Sequence, residues 1–185
     1  CGEPHLFGDA GSLMSGARTP NLFGELLAKG NRWTYTIYYQ YEDAKELRFE
    51  ITEKTETGFI LENPGETQIL HLSGDTLWLT NESSYSAGGK SEVLLVGPMK
   101  NWAAWDWAGG RAWISCTEEI TVIAGQFSCI RIARKRKFIS GPINMDEEII
   151  EWWARGIGMV KKTRVLKGET GRSGWTWELV DYMIK

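Results

Sequence analysis

The amino-acid sequence predicts a mainly β domain: one curved antiparallel sheet or open half-barrel of about ten to twelve strands with one short helix. Three observations carry this expectation. Large side chains recur at every second residue in segment after segment. Turn signals built on Gly, Pro, Asn and Asp separate those segments at short, even intervals. No intervening stretch has a sustained helical period, which argues against a parallel sheet with crossover helices.

The chain has 185 residues, which suits a single domain and is long enough to bury a core without metals or disulfides. Residues 2–20 are rich in Gly, Ser and Pro, so residues 1–20 are expected to form a flexible N-terminal tether, and residues 21–185 the β domain. The helix is expected over residues 21–29, with Asn21 as N-cap and Gly30 just past its end. Trp33, Tyr35, Ile37, Tyr39 and Tyr41 then alternate with Thr34, Thr36, Tyr38 and Gln40. Asp43 and Ala44 turn the chain into Leu47, Phe49 and Ile51. Short strands follow at 58–62, 67–72 and 76–80, punctuated by Asn63-Pro64-Gly65 and Ser73-Gly74-Asp75. Further strands are read at 92–96, 111–116, 119–124, 127–133, 148–154, 158–166 and 175–184. The basic run Arg134-Lys135-Arg136-Lys137 reads as a charged strand end that blocks edge pairing, and Asp146-Glu147-Glu148 and Glu118-Glu119 as solvated strand-end carboxylates.

Hydrophobic residues make up 42% and charged residues 24% of the chain, with a net charge of −3, so nothing points to a nucleic-acid partner. No apolar run reaches the ~18 residues that a membrane-spanning helix needs. Cys1 heads the sequence where a translated protein would begin with Met. A signal peptide cut before a lipid-modified cysteine would leave that residue first, so Cys1 is expected to carry acyl chains that tether the domain to a membrane. A trimmed domain would begin the same way. A hairpin turning at Gly125 would set Cys129 opposite Thr121 or Val122, with Cys116 farther along. A small buried Cys129 is therefore expected rather than a Cys116–Cys129 disulfide.

Three stretches share a pattern. Residues 119–129, Glu-Ile-Thr-Val-Ile-Ala-Gly-Gln-Phe-Ser-Cys, resemble a "vtVpaGtFdC" hairpin. Residues 151–161, Glu-Trp-Trp-Ala-Arg-Gly-Ile-Gly-Met-Val-Lys, are similar to a "yWfApGvGlVk" strand-turn-strand. Residues 178–182, Glu-Leu-Val-Asp-Tyr, resemble an "ELvsY" close, and Leu26 to Trp33 resembles the "l..G..W.Y" opening. Together they resemble a family of uncharacterised bacterial envelope lipoproteins, broadly like the half-barrels of lipoprotein carriers. Ile123 and Arg155 depart from it where Pro is usual, and residues 80–112 match nothing in it. The resemblance implies a lipid-anchored domain outside the cytoplasm with a curved antiparallel sheet, and no catalytic residue.

No motif supports an enzyme. Gly88-Gly89-Lys90-Ser91 lacks the leading Gly of a phosphate loop, with Ser84 in its place, and a strand rather than a helix follows. Gly156-Ile157-Gly158 lacks a third glycine. The two histidines, His5 and His71, offer no zinc spacing. His71 alternates with Leu70 and Leu72 and should project from the other face. A hydrolase built on His71 or the carboxylates at 146–148 is the weakest reading, and no cofactor or metal is expected.

The ten Trp are the feature most suggestive of binding. Residues 101–113 set four of them among small residues, reading as a loop of aromatic plates that stack on sugars or lipid tails, or else plug the core. Trp152 and Trp153 are consecutive in a strand and should point to opposite faces. The expected site is thus Trp102, Trp105, Trp107, Trp152 and Trp153, holding a lipid-like hydrophobic or amphipathic ligand on the concave face. The alternative is an envelope scaffold whose exposed Trp grip a protein or glycan.

Overall fold

The computed structural model describes residues 26–81, 91–97, 103–169 and 171–185. Twelve strands form one antiparallel, nearly closed barrel-shaped sheet, and among the described residues there is no helix. They are β1 (Arg32–Tyr39), β2 (Lys45–Lys54), β3 (Phe59–Asn63), β4 (Glu66–Ser73), β5 (Thr76–Asn81), β6 (Ser91–Val96), β7 (Ala104–Trp107), β8 (Gly110–Val122), β9 (Gly125–Ser140), β10 (Ile143–Ala154), β11 (Gly158–Gly168) and β12 (Gly171–Met183). Two meanders spread from a central pairing of the first strand with the last, in the order β6-β5-β4-β3-β2-β1-β12-β11-β10-β9-β8-β7. The two sheet edges therefore belong to strands that are neighbours in sequence, β6 and β7.

Alternation decides which residues face inward, because directly opposed residues in an antiparallel pair share a face. Trp33, Tyr35 and Ile37 are buried on β1, opposite Phe49, Leu47 and Lys45 of β2 and Tyr182, Leu179 and Trp177 of β12. The same face continues through Ile51 and Leu61, Phe59 and Leu70, and Leu79, Leu72 and Leu77. The expected alternation runs out one step early: β1 ends at Tyr39, and Tyr41 is 83% exposed.

One end of the barrel is sealed by turns that fold inward. The Trp33 indole donates to the Ile157 carbonyl at 2.5 Å and the Tyr35 hydroxyl to the Met159 carbonyl at 2.7 Å, so the β10–β11 turn lies over the inner aromatics. The tip of the β8–β9 hairpin reaches β12 through Ala124 N–H to Leu179 O at 3.0 Å.

The expected helix is not formed in its described part. Leu26–Gly30 is a turn, and Asn21 lies outside the described residues. Leu26 and Leu27 are both buried, and the chain is drawn into the sheet by Gly30 N–H to Ile51 O at 2.7 Å and the Asn31 side chain to Leu26 O at 3.0 Å. Tertiary packing overrides a short local helix signal, as short helices gain little on their own. The tether at 1–20 and Cys1 also lie outside the described residues.

Several strand assignments change. The two strands expected over 111–116 and 119–124 are the single β8, Gly110–Val122, which a bulge at Ser115 shifts by one residue against β9. Ile114 and Ser115 are consequently both buried, and the side-chain phase switches there. The hairpin turns at Ile123-Ala124, with Val122 opposite Gly125, so Cys129 faces Glu118 rather than Thr121 or Val122. Cys129 is a buried free thiol and does not pair with Cys116. The basic run at 134–137 is not a strand end, since it lies within β9, with all four residues paired to β10 and Arg134 and Lys135 also to β8.

Candidate functional site

The stretch expected to be a Trp loop is, in its described part, a hairpin. β7 and β8 are joined by Ala108-Gly109, both at positive φ (46° and 78°), the twist a two-residue hairpin turn requires. Pairing of Trp105 with Ala112 and Trp107 with Gly110, continued to Arg134 opposite Ala112, turns both indoles to the inner face. They do not stand free: the Arg134 guanidinium sits 5.8 Å from the Trp105 ring and 5.4 Å from the Trp107 ring. Trp107 also donates its N–H to Glu92 on β6. Arg134 in turn donates to the carbonyls of Val93 at 3.3 Å and Leu94 at 2.5 Å. Side chains thus close the β6–β7 seam. The Trp105 N–H is buried with no hydrogen-bond partner among the described residues.

Arg134 belongs to a ladder of charges on the inner face of β9, β10 and β11. Two carboxylates of β10 stand on either side of buried Ile149, and each is bracketed by a cation from both neighbouring strands. Glu151 binds Arg134 at 3.0 Å and Lys162 at 3.0 Å, and accepts the Trp153 N–H at 3.3 Å. Burial pushes the Glu151 carboxyl up, but Arg134 and Lys162 outweigh it and hold its pKa down at about 2. Glu147 binds Arg136 through one oxygen and Arg164 through the other, at 2.5 Å for Arg164. Four cations thus meet two carboxylates.

Aromatic side chains flank the ladder on both sides. Arg136 lies 5.2 Å from the Trp107 ring and 5.0 Å from Phe138. Lys162 lies 5.9 Å from Trp175 and 5.7 Å from Trp177, which stack on one another at 5.1 Å. Trp177 then meets Tyr35 and Phe49 at 6.0 and 5.9 Å, where the apolar wall of β1–β5 begins. The Tyr35 phenol is held well above the usual range, first by burial and then by Glu151, so it stays a hydrogen-bond donor.

The expected site residues are therefore divided. Trp105, Trp107 and Trp153 share the inner face. Trp152 points to the other face, where its N–H donates to Glu118 at 2.6 Å beside Arg131, 3.7 Å from that carboxylate. Trp102 lies outside the described residues. His71 stacks on Trp78 at 6.0 Å and 2°, both on the outer face as alternation requires. Of the carboxylates at 146–148, Asp146 is solvated as expected, opposite Lys137 at 3.7 Å, and Glu148 is partly exposed opposite Lys135 at 3.4 Å, whereas Glu147 is buried against Arg136. A shallow groove of about 520 Å³ runs over these pairs, lined by Arg111, Lys135, Arg136, Lys137, Glu147 and Glu148 among others.

Sequence reasoning missed Arg134, Arg136, Glu147, Glu151, Lys162, Arg164, Trp175 and Trp177 as a group. The available signal was phase. Arg134 and Arg136 alternate in step with Ile132, and Glu147 and Glu151 with Ile149, so charges occupy the buried positions of paired strands.

Residues 111–172 match a protein family described as DUF3108-like, a stretch that contains all six charged residues of the ladder. The fold is similar to that of a protein from Bacteroides fragilis described as exported and YmcC-like, with a TM-score of 0.57 at 11% identity over 85% of this chain and 97% of that one. It is also similar to a protein from Parabacteroides distasonis described as a lipoprotein, with a TM-score of 0.55 at 12% identity over 85% and 96%. No curated protein matches the sequence. The barrel-shaped architecture is thus one shared with bacterial proteins of the YmcC-like fold.

Proposed function

We propose that this chain is a non-enzymatic, membrane-anchored domain of the bacterial cell envelope, which binds an amphipathic ligand on the inner face of its sheet. One observation carries the reading: the inner face is itself amphipathic. Leu47, Phe49, Phe59, Leu61, Leu72 and Leu79 line one wall and are only partly buried. Arg134, Arg136, Lys162 and Arg164 stand on the other wall, between the Trp105–Trp107 and Trp175–Trp177 pairs. A wall of one kind suits packing alone, whereas two unlike walls suit a molecule with a tail and a head. The exported and lipoprotein descriptions of the structurally similar proteins support the location.

The scaffold alternative needs tryptophans presented to a partner, and no described Trp is among the exposed large apolar side chains. Titration of the purified chain with single-chain amphiphiles below their micelle concentration, followed by intrinsic Trp fluorescence, tests the proposal. Saturable change with protection from iodide quenching is expected. A change that is absent, or that grows linearly without saturation for every head group, overturns it.

A further inference from the structure

Resting on that reading, we infer that Arg136 and Arg164 form a clamp for the ligand's head, and that the head is a phosphate-type oxyanion. Both arginines spend a single nitrogen, Nε, on the protein, and both spend it on the same carboxylate, Glu147. Because they take opposite oxygens of one buried group, the two guanidiniums lie within two hydrogen bonds and one carboxylate of each other. The Trp107 and Phe138 rings flank the Arg136 guanidinium at 5.2 and 5.0 Å. Among the described residues nothing accepts from the terminal nitrogens of either side chain, and the two remain 28% and 30% exposed.

The contrast with Arg134 sharpens the assignment. That guanidinium is 1% exposed and uses Nε, Nη1 and Nη2 on Glu151 and two β6 carbonyls, so it is spent on closing the barrel. Arg136 and Arg164 carry two positive charges against the one of Glu147. Four terminal nitrogens, held in two oriented forks, match the several peripheral oxygens of a phosphate, which accepts from two arginines at once. A neutral sugar head would leave the excess charge unanswered.

The test is calorimetric titration of the full chain with dodecyl phosphate and with dodecyl maltoside, which share a tail, and with inorganic phosphate. The clamp predicts that the natural chain prefers dodecyl phosphate by about tenfold or more. The double variant R136Q/R164Q should lose that preference, so that its affinities for the two amphiphiles converge. R136K/R164K keeps the charges and the pairing with Glu147 but not the forks, so it should also lose most of the preference. It decides the matter if circular dichroism shows the glutamine variant unfolded. Inorganic phosphate binding as tightly as dodecyl phosphate would assign the clamp to the free ion rather than to a lipid head. Equal affinity of the natural chain for both amphiphiles, or variants that keep the preference, overturns the clamp and leaves the amphiphile reading standing. Failure of both amphiphiles to bind removes that reading as well.

Discussion

Arg134 and Glu151, on adjacent strands, meet at 3.0 Å with side chains only 1% and 2% exposed. The pair sits diagonally across the β9–β10 register, since Arg134 opposes Ile149 and Glu151 opposes Ile132. Arg134 also reaches the β6 carbonyls, so this one side chain links the ion pair to the barrel seam.

Removing the cation leaves a buried carboxylate with reduced compensation and opens the seam. Arg134→Met is expected to destabilise the domain by about 3–5 kcal/mol, read as a lower urea midpoint. A midpoint within experimental scatter of the natural chain would show that the pair is solvated in solution.

Acid should act through the same pair. The folded Glu151 pKa, about 2, lies below its ordinary value of 4.5. The group therefore binds protons more readily in the unfolded chain, and its stabilising contribution is complete above about pH 5. That contribution, on the order of 3 kcal/mol, is lost as pH falls toward 2. Thermal melts at pH 6, 4 and 2.5, repeated on Glu151→Gln, should show the natural chain losing more stability between pH 6 and 2.5 than the variant.

Ala108 holds a positive φ of 46°, a conformation that costs a residue with a Cβ roughly 1 kcal/mol. Ala108→Gly relieves that cost, less the greater chain entropy of glycine. A gain of about 0.5 kcal/mol in denaturant unfolding is expected, and a loss would show that the turn does not hold this conformation.

Gly110 has the opposite requirement. A Cβ there would lie 2.1 Å from the Lys135 carbonyl and 2.5 Å from the Arg136 Cβ. Gly110→Ala should cost more than about 2 kcal/mol by forcing β8 from β9, and it should weaken anionic-amphiphile binding by shifting Arg136. Unchanged unfolding would contradict the close approach.

Cys129 should be inert while the domain is folded. Burial, then Glu119 and Glu118, push its thiol up to about 12, and only the thiolate is nucleophilic. Peptide mapping after treatment with an alkylating reagent should find residue 129 labelled only in denatured protein.

Much of the barrel was legible because the period of two survives where strands are regular. Trp33, Tyr35 and Ile37 announce β1, and Pro64-Gly65 and Gly74-Asp75 announce its neighbours' turns. Bulges hid the rest. At Ser115 the phase switches, so one strand read as two, while the register at Cys129 is set by the tight turn at Ile123-Ala124. Small residues around Trp105 and Trp107 imitated a loop because alternation across only four residues of β7 is too short to recognise. The charge ladder was illegible for a different reason. A run such as Arg134–Lys137 is usually solvated, and only pairing β9 with β10 shows that alternate members are inward and answered by Glu147 and Glu151. Pairing also parts Trp152 from the Trp grouped with it in the sequence, and brings in Trp175 and Trp177.

Whether the inner face holds an amphiphile is decided by native mass spectrometry of the protein isolated from its own envelope. One non-covalent adduct per chain is expected, with the mass of an anionic amphiphile, lost on denaturation. A chain that arrives empty, and stays empty with excess dodecyl phosphate, would contradict the amphiphile reading.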